Sequence, residues 1–315
     1  MQYISAQGTS SMEKREAEFK TLDGLTLRGD LYPAQSSVAR GPAVVITPGI
    51  NCVKEMFVPE IAQYFQKADI TALVYDPRSI GISDGLPRNE IDPARQASDF
   101  SDAVTYVRDL PNVDPSQVGI WSMSFSACIA ISAAALDPRV RFCINVCPTP
   151  ITDYDPSKFP KVLVKLQQER ESQLAGNPPL YVPLVDVRGG NIVGFGDGVD
   201  KEEGIQYLIN AKMRGAPSHN INSTFLSYYR MMMWHPEGIM SYLKQTPVMT
   251  IVPEFDLVSP PERQIKMHES FPEPKLLHIA RGKGHLNVLS GDDFPALAEM
   301  QVKFIKDSLS GWAAE

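Results

Sequence analysis

The chain has 315 residues, 43% of them hydrophobic, and a formal net charge of −7 at pH 7. That is enough apolar material for one large core or a core plus a subdomain, and the acidic balance argues against a broad nucleic-acid-binding surface. No apolar run approaches the ~20 residues that a membrane span needs, so membrane insertion is excluded as well.

Residues 1–15, beginning "MQYISAQGTSSMEK", have no basic stretch followed by an apolar core, so they read as a flexible lead-in rather than a signal peptide. "AEFKTLDGLTLRGDLYPA" alternates apolar and polar residues around Asp23-Gly24, a hairpin signal. "GPAVVITPG" is a β-branched run ending in Pro-Gly, the pattern of a fully buried strand. "VPEIAQYFQKADI" has helical spacing and "TALVYDP" is a second buried strand. In "PARQASDFSDAVTYVRDL", Phe100, Ala103, Val104, Val107 and Leu110 form one helical stripe. "QVGIWSM" is a strand, "SACIAISAAAL" a small-residue helix, and "VRFCINVCP" a strand again.

The rhythm breaks after Cys147. "FPKVLVKLQQERESQL" and "STFLSYYRMMMWHPEGIMSYLKQ" are helical, separated by the Gly- and Pro-rich pieces "AGNPPLYVP" and "RGGNIVGFGDGVD". Strand and helix alternate again from "TPVMTIVPEFD" through "PERQIKMHESF" and "PKLLHIA" to "FPALAEMQVKFIKDSL". Alternation of this kind predicts an α/β protein with a mostly parallel central sheet flanked by helices. The core spans 16–147 and 247–315, and 148–246 is a helical cap insertion. Cys52, Cys128, Cys143 and Cys147 include no CxxC pair; they read as reduced, buried thiols of a cytoplasmic protein, with no metal called for.

The chemistry centres on "GIWSMSFSA". A sharp strand-to-helix turn lifts its central residue, Ser124, above the sheet beside a helix N-terminus. Such turns usually read G-x-S-x-G; here Ser122 and Ser126 stand at the glycine positions, where close packing tolerates only small side chains. A serine nucleophile needs a base, and the base an orienting acid. His285, in "RGKGHLNVL" after the last predicted strand, is placed to overhang the sheet's C-terminal edge. His278 lies inside that strand and reads as a packing or surface residue, and His268 and His219 read as exposed. "VMTIVPEFDLVSPP" offers Asp256 as the acid, with Glu254 as the fallback. Phe125 N–H, next to the serine, is one oxyanion donor, and Ile50 N–H after "VVITPG" is the other, with Asn51 adjacent. The histidine usual before that glycine is replaced by Thr47-Pro48. Asp76 and Arg78, in "YDPRSIGISDG", read as loop buttresses.

The stretches "TPGINCVKEMF", "YDPRSIGISDG", "WSMSFSA", "EFDLVSPPE" and "GKGHLNVL" resemble the α/β-hydrolase superfamily across nearly the whole chain. "GINCVKEM" and "YYRMMMWHPE" further resemble fungal hydrolases of the polyketide transferase and thiohydrolase type. That resemblance implies an α/β-hydrolase fold and acyl transfer or release in secondary metabolism, with Ser124, Asp256 and His285 as the triad and no cofactor. The substrate it implies is a small-molecule or carrier-bound acyl chain, which makes a polyketide synthase acyl-carrier domain a candidate partner.

The aromatic and Met-rich segment of the insertion supplies candidate substrate-binding side chains: Tyr228, Met232, Trp234 and His235, together with Asn51. Met231, Met232 and Met233 cannot all point inward from one helix. The apolar cap is also a candidate homodimer contact, and by excluding water it would favour transfer to an alcohol over hydrolysis. Two other readings fit the same residues. In one, the triad serves acid–base cyclisation, elimination or C–C cleavage; in the other, a degenerate hydrolase survives as a binding protein.

Overall fold

A computed structural model gives the fold; it describes residues 14–35, 40–150, 155–184, 217–243 and 246–311. The lead-in through residue 13 and the piece "RGGNIVGFGDGVD" lie outside the described residues.

Strands β1 (Arg15–Lys20) and β2 (Thr26–Tyr32) pair antiparallel around Asp23-Gly24. Gly24 sits at φ 90°, a conformation that glycine adopts without steric cost. The β-branched runs become β3 (Gly41–Thr47) and β4 (Thr71–Tyr75), and the chain continues through β5 (Val113–Met123) and β6 (Cys143–Val146) to β9 (Val248–Pro253) and β10 (Lys275–Ala280). These eight strands form one sheet in the order β1-β2-β4-β3-β5-β6-β9-β10. From β4 to β10 every pairing is parallel. A two-stranded antiparallel sheet, β7 (Tyr181–Pro183) with β8 (Asn222–Thr224), lies apart from it.

Helices cover both faces. The predicted stripe of α2 (Pro93–Arg108) is buried at Phe100, Ala103, Val104 and Val107, in one apolar cluster with α3 (Ser124–Leu136). On the other face α1 (Pro59–Lys67) and α7 (Phe294–Leu309) share a second cluster, which includes Ile61, Phe65, Phe294 and Phe304.

The inserted segment contains α4 (Phe159–Leu174), α5 (Leu226–Met232) and a 3-10 segment at Pro236–Tyr242. Its Val162, Leu166, Phe225, Tyr228, Met231 and Met240 join the α2–α3 cluster, so this part of the chain is packed onto the core. "STFLSYYRMMMWHPEGIMSYLKQ" is not one helix. Pro236 has no N–H to give and disfavours helical geometry at His235, which sits at φ −130°, ψ 79°. The methionines divide as helical geometry requires: Met231 is buried, Met232 half-buried and Met233 67% exposed. Among the described residues, no helix is long and apolar enough to cross a membrane.

Candidate active site

Strand β5 ends at Met123 and α3 begins at Ser124, with no residue between them. Turning the chain that sharply holds Ser124 at φ 57°, an unfavourable conformation for a residue with a Cβ. The side chain is lifted to the first turn of α3, where the helix supplies no acceptor for the Phe125 N–H. The loop after β3 approaches from the other side: a Cβ added at Gly49 would stand 3.3 Å from Ser124 Cβ. Both expected oxyanion donors, Phe125 N–H and Ile50 N–H, thus belong to chain segments flanking Ser124.

Ser122 and Thr47, each a departure from the usual pattern, are coupled. Thr47 pairs with Ser122 in the β3–β5 ladder. Their hydroxyls lie 2.8 Å apart, and the Ser122 hydroxyl reaches the Thr47 carbonyl at 3.1 Å. A buried hydroxyl without a partner costs about 1–3 kcal/mol, so serine in place of glycine requires a neighbour such as Thr47.

His285 follows β10 and faces the serine. Its Nε2 lies 2.9 Å from Ser124 Oγ and its Nδ1 2.8 Å from Asp256 Oδ2. All three side chains are buried. Asp256 is held by four donors. Oδ1 accepts the N–H groups of Val258 (2.9 Å) and Ser259 (2.8 Å), while Oδ2 accepts from His285 and from Gln264 Nε2 at 2.9 Å. Glu254, the fallback acid, points elsewhere, bonded to Arg281 at 2.6 Å and Gly282 N–H at 2.9 Å. Burial disfavours a charged imidazole, but the Asp256 carboxylate, aided by Cys147, outweighs it, and the His285 pKa rises well above its ordinary value.

Two neighbours of the triad carry no motif signal. Cys147 Sγ lies 3.9 Å from His285 Nε2. Thr149 Oγ1 lies 3.4 Å from Ser124 Oγ, and its N–H donates to the Ser124 carbonyl at 3.2 Å. Among the described residues, one grouping has metal-ligand spacing: Cys147, Asp256 and His285, with ligand atoms within 4.8 Å of one another. Both nitrogens of His285 already face Asp256 and Ser124, so a metal there would displace one of those contacts.

A model of the FrsA-like esterase family matches residues 2–158. A thiohydrolase of Eupenicillium brefeldianum is 54% identical over 299 residues, covering 95% of this chain and 96% of the relative. The polyketide transferase claH of Penicillium crustosum is 44% identical over 301 residues, covering 93% and 97%. The chain belongs to this family of fungal α/β hydrolases. The crystal structure of the α/β hydrolase GrgF from Penicillium sp. sh18 superposes with a TM-score of 0.84 at 36% identity, covering 95% of this chain and 100% of that one. The chain is thus an α/β-hydrolase enzyme, of a family that contains esterases, thiohydrolases and acyltransferases.

The other expected site residues of this hydrolase scatter. Asn51 Nδ2 donates to the Asn220 carbonyl at 2.7 Å, and its Oδ1 accepts from Asn89 Nδ2 at 3.1 Å. Its amide therefore ties the β3 loop to Asn220 and to Asn89. Tyr228 is fully buried against Phe225, in the core rather than in a pocket. Met232 is half-buried against the same core. His235 is exposed, turned out by the break before Pro236. Trp234 does line a cavity of about 650 Å³, between α3, the 3-10 segment and α6 (Pro261–Glu269).

The expectation for His268 also needs correction. It is buried, with Nδ1 2.8 Å from Thr250 Oγ1, because that face of α6 lies on β9. His219 is half-buried, not exposed, and half-buried His278 fits its packing role. Asp76 and Arg78 are buttresses. Asp76 accepts the N–H groups of Lys54 and Ile82, and Arg78 pairs with Asp99 at 2.5 Å and Asp23 at 2.9 Å. All four cysteines are buried, none of them in a disulfide.

Proposed function

We propose that this hydrolase is a serine-dependent acyl hydrolase or acyltransferase acting on an ester or thioester of a largely apolar, polyketide-type acyl chain. The observation that carries the reading is the hydrogen-bonded line Ser124 Oγ–His285–Asp256 at 2.9 and 2.8 Å. His285 takes the Ser124 proton through Nε2 while Asp256 holds the Nδ1–H tautomer and offsets the imidazolium charge. Ser124 Oγ bonds to the acyl carbon, and the carbonyl oxygen becomes an oxyanion held by the N–H groups of Phe125 and Ile50. Collapse expels the alcohol or thiol, protonated by His285. Water or an acceptor alcohol, deprotonated by the same nitrogen, then releases the acyl group. The relatives' names, thiohydrolase, polyketide transferase and acyltransferase, support both fates of the acyl-enzyme.

In this reading residues 148–246 are the cap over the site. The acyl chain arrives as a small molecule or on a synthase's carrier domain, and four buried cysteines outside any disulfide suit a cytoplasmic location. The test is intact-protein mass spectrometry after exposure to a fluorophosphonate. The wild type should gain a single adduct that Ser124→Ala lacks; an adduct that survives Ser124→Ala overturns the assignment.

A further inference from the structure

The cavity bordered by Trp234 reaches inward to Phe125, the residue after the nucleophile, and to Pro150, which follows Thr149. Its α6 wall presents Arg263, Lys266 and Met267, which share one face of the helix at spacings of three and four residues, with Ser270 just past the helix end. The adjoining face of α6 points Gln264 at Asp256 and His268 at Thr250. Lys266 is exposed and makes no ion pair among the described residues. Glu237 is the acid on the facing wall, so the lining carries two cations against one anion in a chain whose net charge is −7. Between these charges the walls are apolar: Phe125, Trp234, Met240 and Met267. The Trp234 indole N–H is buried and has no acceptor among the described residues. An apolar trough with an unused donor and cations on one wall suits an amphiphilic stem that carries acceptors along its length and an anionic head.

Resting on the acyl-transfer reading above, we propose that this cavity seats the phosphorylated arm of an acyl thioester, with its phosphate on Arg263 and Lys266. The thioester end then lies at the Phe125 end of the cavity, beside Ser124. In the step it serves, the Ser124 Oγ–acyl bond forms and the C–S bond breaks. The serine proton passes through His285 to the departing thiolate, so no outside reagent is consumed. The two sources of such an arm, coenzyme A and the phosphopantetheine of a carrier domain, share the amides and the phosphate next to them.

The test compares octanoyl esters of 4′-phosphopantetheine, coenzyme A and N-acetylcysteamine, the last of which has no phosphate. For the Arg263→Ala/Lys266→Ala variant, kcat/KM on the phosphorylated esters, relative to the N-acetylcysteamine ester, should fall about ten-fold, mostly through KM. Equal falls on both phosphorylated esters assign the shared phosphate of a carrier arm; a fall confined to the coenzyme A ester assigns free coenzyme A. An unchanged ratio overturns the site. Calorimetric titration of 4′-phosphopantetheine into Ser124→Ala, with and without the two α6 changes, reads the site without turnover. Equal affinities there would overturn the cavity assignment and leave the serine mechanism standing. Ester turnover that survives Ser124→Ala would overturn the mechanism while binding still reports on the cavity.

Discussion

Four donors converge on the Asp256 carboxylate, and one of them, Gln264, comes from a helix outside the triad loops. Gln264 also donates to the Ser259 carbonyl at 2.5 Å, while its Oε1 is buried without a partner. Leaving an acceptor unsatisfied costs about 1–3 kcal/mol, a cost tolerated here because both amide hydrogens are needed on Asp256 and Ser259. The proposed role of His285 as base gives a pH expectation. With the His285 pKa raised, the imidazole is protonated and inactive at low pH, so kcat/KM should rise along a limb centred above pH 6.5. Gln264→Leu removes one donor from Asp256, which then holds the imidazolium more strongly. That limb should move to higher pH, and activity at neutral pH should drop roughly ten-fold. A limb that stays in place while stability falls would reduce Gln264 to packing. The meeting of Ser124, Asp256 and His285 was legible because each ends or follows a strand in that order. Gln264, Thr149 and Cys147 were not, since nothing in their own neighbourhoods of sequence distinguishes them from ordinary packing residues.

Helices α5 and α6 each have two occupied faces. On α5, Tyr228 and Met231 enter the core while Arg230 reaches the segment before α2, at 2.8 Å from Glu90 and 3.0 Å from Asp92. The same segment takes the Ser227 hydroxyl as acceptor for the Ile91 N–H at 2.9 Å. Arg230→Met should cost about 1 kcal/mol, because the pair is partly exposed, and leaves Glu90 and Asp92 facing each other. Hydrogen exchange should quicken across residues 222–232 and stay unchanged in β5. If protection holds, burial of Tyr228 alone anchors this segment. The sequence made α6 look outward-facing, because its buried positions include the polar Gln264 and His268 alongside Met267. Amphipathic patterns report apolar faces, and this face is polar because it supports a carboxylate and a threonine. For the Met-rich segment the opposite held: apolar richness suggested a continuous helix, and Pro236 ended it.

At the scale of the whole molecule, the mostly parallel sheet and its helical cover followed from alternating buried runs and amphipathic helices, patterns repeated many times along the chain. What remained illegible depends on which helix face meets which strand. His268 illustrates the energetic consequence. Burial, reinforced by Lys275, lowers its pKa to about 4. The folded state therefore favours the neutral ring, so its contribution is complete above the unfolded value near 6.5 and is lost as pH falls towards 4. Urea unfolding at pH 7 and pH 5 should differ by about 2 kcal/mol from this residue, and His268→Gln should flatten the difference. An equal pH dependence in the variant would show that other groups govern acid stability.

The placement of the insertion has a further consequence. The chain leaves the sheet from β6 and returns on β9, its immediate neighbour, with Cys143 opposite Val248. Sheet pairing runs unbroken from the serine's strand to the strand that carries the acid, whatever length of chain loops out in between. The spacing between Ser124 and Asp256 is therefore set by three adjacent strands and not by the length of chain that separates them in sequence.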